Sequence, residues 1–348
     1  MTRASFFRIT LLPLFTAAAA IVLPLSATPS FAQAPGKTKI VLIAGVKSHP
    51  SGQHEFRAGG TLLARALNEQ SSLPLDVVLV TEGWPKDESV FDGAKAVICY
   101  ADGGGKHPFV GHLEKVDSLA KAGVGIMCMH YGVEVVPDQA GKEFTRWIGG
   151  FYEGGFSVNP HWDAATEAAL DHPVGRGVKP VTVNDEWYFR MRFPEPPVHS
   201  TLLKATPTRA LIKRYIHWNE GADAELGKPQ TLMWGVQRPD GGRGVGFTGG
   251  HWHRNWAIDD FRKVVLNAIV WTAGLDVPEG GVKSQPITEA QLNENLDEKT
   301  PMEHVNLPSP KDLTLPTAEP VGNRGPGVKP AAPAKPTSAP APAPAKQP

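Results

Sequence analysis

Short, uninterrupted apolar runs alternate with helix-spaced segments through the middle of the chain. Lys39-Ile40-Val41-Leu42-Ile43-Ala44-Gly45 is a β-branched run with no polar break, and 76–80, 96–100 and 125–129 repeat the pattern. Between these runs, apolar residues recur at helical spacing over 56–67 and again over about 109–121. Strands without in/out alternation, separated by helices, predict a parallel sheet covered on both faces. The second half is richer in strands, at 181–183, 202–205, 231–234 and 244–247, and a closing helix over 259–272 stops at Gly274. The expected fold is α/β, a mainly parallel central sheet flanked by helices in three layers, formed by one domain over 37–278.

The two ends read differently. Arg3 and Arg8 precede an apolar run from Leu11 to Leu25, and Ser30-Phe31-Ala32 offers small residues to a signal peptidase. Residues 1–32 are therefore expected to be an export leader, giving a periplasmic or secreted protein. The run is short of the ~20 residues a membrane span needs, so no transmembrane anchor is expected. Residues 279–325 are polar with scattered leucines, and either pack along the surface or are partly disordered. Residues 326–348 are mostly Pro, Ala and Lys, a composition that favours an extended, solvated tail.

Charge and composition narrow the function. Lys+Arg 35 balances Asp+Glu 35, which leaves no basic excess for a nucleic-acid partner. Only two cysteines exclude a disulfide scaffold and a Cys-rich zinc module, and both, Cys99 and Cys128, sit inside apolar runs as buried thiols. The Gly103-Gly104-Gly105 run lacks a P-loop ending and dinucleotide spacing, which argues against nucleotide binding.

In parallel sheets the working site lies beyond the carboxyl ends of the strands. His49, His54, His107, His130, His251 and His253 all fall in the loops that follow strands, with Glu55 and Glu134 beside them. Each has a plainer reading. His54 and Glu55 suit a helix N-terminus, His107 a glycine turn, and His130 a structural turn. His251-Trp252-His253 alternates, so on extended chain both imidazoles face one way as a candidate metal pair. His112, His161, His172, His199, His217 and His304 have no comparable context.

Several ordered pieces carry a family resemblance: His49-Pro50 with His54-Glu55-Phe56, Phe144-Thr145-Arg146-Trp147-Ile148-Gly149-Gly150, Asp171-His172-Pro173, Asp185-Glu186-Trp187-Tyr188, Gly242-Arg243-Gly244-Val245, and Gly250-His251-Trp252 before a helix with Trp271. Over about 39–275 the chain resembles the ThuA-like (trehalose utilisation) family, whose fold is similar to class I glutamine amidotransferases. Those enzymes carry Cys-x-Gly-x-Gln at the turn after a central strand, whereas this chain has His130-Tyr131-Gly132-Val133-Glu134. Without a thiolate at that turn, glutaminase and cysteine-protease chemistry fall away.

The resemblance implies a small-molecule carbohydrate substrate, a 3-keto-glycoside or related disaccharide derivative. Its C3 ketone would acidify the C2 proton and allow lyase, hydrolase or isomerase chemistry. His130, Glu134, His54, Glu55 and Glu186 are the candidate acid/base groups. His49, His107, Tyr131, Trp187, Tyr188 and Trp252 are candidates to bind the sugar, with Trp256 as a further stacking ring. A divalent metal such as zinc is a possible electrophile, with His251 and His253 as its candidate ligands. The alternative is a carbohydrate-binding or accessory protein that uses the same pocket without turnover.

Overall fold

Every residue of the run 40–44 is buried, because β1 (Thr38–Ala44) lies inside a sheet with helices on both sides. Beside it, β2 (Leu75–Val80) forms the sheet edge and is only partly buried. β3 (Ala96–Tyr100) and β4 (Gly125–Met129) are buried throughout. Ile40, Leu42, Ile98, Tyr100, Met127 and Met129 share one core with the helices α1 (Phe56–Arg65) and α5 (Asp259–Thr272). The intervening residues, such as Val41, Val97 and Ile126, point to the opposite face. There α3 (Lys142–Ile148) packs against β4, and α2 (Leu113–Lys121) against α3.

The computed structural model describes residues 1 and 36–314. The remainder of the expected leader, the end of the polar extension and the Pro/Ala/Lys tail lie outside the described residues. All of 36–314 falls in one compact unit. Among the described residues, no helix is long and apolar enough to cross a membrane.

The second half adds β5 (His161–Ala168), β6 (Val181–Glu186), β7 (Ser200–Ala205), β8 (Ile212–Arg214), β9 (Gln230–Gln237) and β10 (Arg243–Phe247), with the single-turn helix α4 (Glu220–Asp223) before β9. The order is β2-β1-β3-β4-β10-β9-β7-β5-β6, with β8 paired to β5. Pairings from β2 to β10 are parallel, and all the others are antiparallel. The sheet is therefore mixed, with a parallel core, and not mainly parallel as expected. A short turn joins β9 to β10, and such a turn can only make antiparallel neighbours. β5 was not foreseen: its sequence HWDAATEA carries little of the β-branched signature.

The polar extension packs along the domain as far as Thr314. Thr288 and Gln291 form a capping box that starts α6 (Glu289–Leu292). Val282, Leu292, Leu296 and Val305 join the core under α1 and α5. Lys299 reaches Glu55 at 3.1 Å in a buried ion pair. Replacing the fully buried Leu292 with alanine should therefore lower global stability by about 2–4 kcal/mol in a single urea transition. A loss below about 1 kcal/mol would mean that the extension does not fold with the domain.

Candidate functional site

The parallel strands all deliver their carboxyl ends to one edge, and four side chains converge there. His130 follows β4 directly, in the left-handed region at φ 52°. His54 precedes α1 at φ 47°. Such backbone costs on the order of 1–3 kcal/mol in a non-glycine residue, so the surroundings must hold it. They do so through the rings. His130 Nδ1 donates to the Thr248 carbonyl at 2.9 Å, and His54 Nδ1 donates to Asp102 Oδ1 at 2.9 Å. His251 sits on a loop fixed by the buried Asp185 carboxylate, which accepts from the Gly250 and His251 amides at 2.8 and 3.0 Å. Glu186 ends β6 and supplies the fourth group.

His54 Nε2 lies 3.0 Å from His130 Nε2 and 3.0 Å from His251 Nδ1. Glu186 Oε2 lies 3.4 Å from His130 Nε2 and 3.2 Å from His251 Nδ1. All four donor atoms fall within 4.8 Å of one another, and all four residues are buried. Donors held 2.0–2.2 Å from a common tetrahedral centre lie about 3.3 Å apart, so these separations fit one small divalent cation. The tautomers fit as well. With the Nδ1 protons of His54 and His130 donated outward, both Nε2 lone pairs face the centre, which is how a histidine ligand is oriented by its outer partner.

The electrostatics point the same way. Burial pushes the pKa of His54 well below the imidazole range, helped by the neighbouring histidines, and burial also lowers that of His251. Burial opposes charge on His130, yet the hydrogen bond and charge of Glu186 raise its pKa above the ordinary value. Burial disfavours ionised Glu186 too, but His251 and hydrogen bonds from His130, His161 and His251 hold its pKa far below the carboxylate range. The pocket thus keeps one carboxylate ionised and attracts one positive charge.

A cleft of about 380 Å³ opens over this cluster, a size suited to a small ligand. His49, stacked on His54 at 3.6 Å, lines it together with Gln53, Tyr131, Glu134 and Tyr188. Burial and the charge of Glu186 raise Glu134 to about 7. Asn159 donates to Glu186 Oε1 at 2.9 Å, and its Oδ1 accepts from His217 Nδ1 at 2.9 Å. His161 Nε2 lies 3.6 Å from Glu186 Oε1. The Gly103-Gly104-Gly105 run serves this turn: a Cβ on Gly103 would come within 2.1 Å of the Tyr131 carbonyl oxygen.

Of the residues expected from sequence, His130, His54, Glu186, Glu134, His49, Tyr131, Tyr188 and His251 are brought together at this cleft. Six others are placed elsewhere. Glu55 accepts from the Gly52 and Asp297 amides and pairs with Lys299, stapling the extension to the His54 loop. His107 is buried, its pKa lowered by burial to about 4, and Nε2 donates to the Gly132 carbonyl behind the turn. Trp187 points away from Tyr188 into the core, against Phe247 and Phe261, and Trp256 is likewise core. Trp252 sits behind His161 and His251, outside the cleft lining.

His253 does not pair with His251. The chain leaves the extended conformation at His253 to begin a 3-10 turn, and its Nε2 donates to the Leu292 carbonyl. The metal-ligand expectation therefore moves from His251 with His253 to His251 with His54, His130 and Glu186. Asp102, Asn159, His161, Asp185, Arg214 and His217 were not assigned from sequence. Asp102 was visible in the loop after β3, but His161 lies on the strand that lacked a strand signature.

Comparison with known proteins follows this geometry. The ThuA family model, described as trehalose utilisation, matches residues 46–272, more than half of the chain. A search of the curated proteins finds no match. Among solved structures, a ThuA-like protein from Bacteroides uniformis is similar at 15% identity and TM-score 0.51, over 72% of this chain and 96% of that one. A ThuA-like protein from Parabacteroides merdae is similar at 18% identity and TM-score 0.48, over 74% of this chain and 99% of that one. At these identities the likeness to the Bacteroides uniformis structure is one of fold alone.

The raised pKa of Glu134 has a measurable sign. A carboxyl whose pKa is raised on folding destabilises the native state as pH climbs from about 4.5 to 7 and beyond. Glu134→Gln should match the parent at pH 5 and be more stable at pH 8, by on the order of 1–3 kcal/mol in urea unfolding. Equal stability at both values would mean that the carboxyl titrates normally.

Proposed function

The chain belongs to the ThuA (trehalose utilisation) family, and on that premise we propose that it is an exported carbohydrate-processing enzyme acting on a 3-keto-glycoside or related disaccharide derivative. Family membership suggests the role in sugar utilisation. The observation that carries an enzymatic reading is the convergence of His54, His130, His251 and Glu186 beneath a cleft whose own carboxyl, Glu134, sits near 7. A site that only bound sugar would need hydrogen bonds and stacking surfaces, not four buried donors aimed at one point.

His54, His130, His251 and Glu186 are the residues that would hold a divalent cation. Bound there, such a cation supplies Lewis acidity, polarising a carbonyl oxygen of the substrate. Glu134 takes the proton from C2 of the keto-sugar, since a group titrating near neutrality is best matched to proton transfer at neutral pH. The electron pair released at C2 expels the C1 substituent, and His161, which also lines the cleft, protonates the departing oxygen. Tyr131 and Tyr188 flank the ring and exclude water. The apolar run behind Arg3 and Arg8 is what supports the export part of this reading.

Elemental analysis of the purified protein, with mass spectrometry of its products from 3-keto and unoxidised disaccharides, tests this reading. The expected result is about one equivalent of divalent metal and turnover of the keto-sugars only. His54→Ala should lose the metal. Glu134→Gln should keep it while turnover falls about 10²–10⁴-fold. Unchanged turnover in Glu134→Gln, or no turnover of any sugar by the parent, would contradict the proposal.

A further inference from the structure

Among the described residues, the arginines are almost all spoken for. Even exposed ones hold carboxylates, as Arg209 does Asp223 and Arg146 does Asp117. Arg243 donates to the carbonyls of Trp271 and Leu275, and Arg190 to Asn219. Arg214 is the exception: among the described residues its guanidinium has no hydrogen-bond or ion-pair partner, and it lines the cleft. Its position is set by the sheet. Arg214 closes β8 and is the cross-strand partner of His161 on β5, so the two side chains share one face. His161 lies 3.6 Å from Glu186, so the exposed Arg214 stands on the strand pair whose other member reaches that carboxylate. His217 completes this wall, with Nδ1 committed to Asn159 and Nε2 left as its remaining polar atom.

We propose that Arg214 is the recognition residue for a carboxylate on the substrate, so that the preferred glycoside is a uronate or similarly acidic sugar. This deepens the carbohydrate reading above and rests on it. A guanidinium left without a protein partner in a ligand cleft is an unfilled fork of donors, and its planar geometry matches a carboxylate bidentately. A phosphate dianion fits less well: no lysine lines the cleft to share its second charge, and two carboxylates, Glu134 and Glu186, line it too. Arg214 would fix the register of the sugar and leave its reacting carbons toward Glu134.

Calorimetric titration of the full chain with methyl glucuronide, methyl glucoside and glucose 6-phosphate tests this. The parent should bind the glucuronide about 10–100-fold tighter than the glucoside, as expected for a charged hydrogen-bonded pair. R214M should bring the glucuronide down to the level of the glucoside, and R214K should recover part of the preference. Equal binding of glucuronide and glucoside by the parent would remove this proposal while leaving the carbohydrate reading in place. A preference that survives R214M, or tighter binding of the phosphate, would also overturn it. Failure to bind any of the three would overturn this proposal, while the keto-glycoside reading stands or falls by its own turnover test.

Discussion

Two imidazole nitrogens held 3.0 Å apart with their lone pairs facing each other are the constraint on which this site turns. Neither ring is free to turn away. His54 is committed through Nδ1 to Asp102, and His130 through Nδ1 to the Thr248 carbonyl. In a buried place such a pair is repulsive unless a positive centre lies between them and the Glu186 carboxylate. Glu186 supplies the negative side of that balance: His251 and hydrogen bonds from His130, His161 and His251 keep it ionised despite burial, and its charge in turn raises the pKa of His130.

The fold supplies the stiffness this arrangement needs. His130 occupies the tight turn at the end of β4, a central parallel strand. An imidazole there is of a type that can ligate a metal or transfer a proton. Around it, charged and polar groups act as staples on the loops. Asp185 fixes the loop carrying His251, while Glu55 and Lys299 tie the His54 loop to the packed extension. His107 props the His130 turn from behind. Several residues that look catalytic in the sequence therefore work one layer back, holding the left-handed backbone at His54 and His130 in place.

Much of this was legible before the structure. The parallel core was written in β-branched runs such as 39–45, and the rule that sites lie beyond strand ends picked out His49, His54, His130 and His251, which the structure brings together at one cleft, along with His107 and His253, which it places elsewhere. What escaped the sequence has physical causes. β5 is built from alanine and polar residues, so His161 seemed to lie in a loop without context. The pairing of His251 with His253 assumed extended chain, but a 3-10 turn begins at His253 and sends that ring to Leu292. Trp187 and Tyr188 are adjacent and point in opposite directions, and sequence alone does not say which of two neighbours faces the cleft. Asp185 and Asp102 act through backbone amides and a ring nitrogen far away in sequence, which local pattern does not register.

The central claim is that His54, His130, His251 and Glu186 form one cation site. Anomalous diffraction from crystals of the purified protein, with an X-ray fluorescence scan to identify the element, tests it most directly. The account predicts a single strong peak about 2.0–2.2 Å from Nε2 of His54, Nε2 of His130, Nδ1 of His251 and a carboxylate oxygen of Glu186. A metal found elsewhere, or no anomalous peak among these four groups in crystals grown with zinc, manganese or nickel, would contradict it.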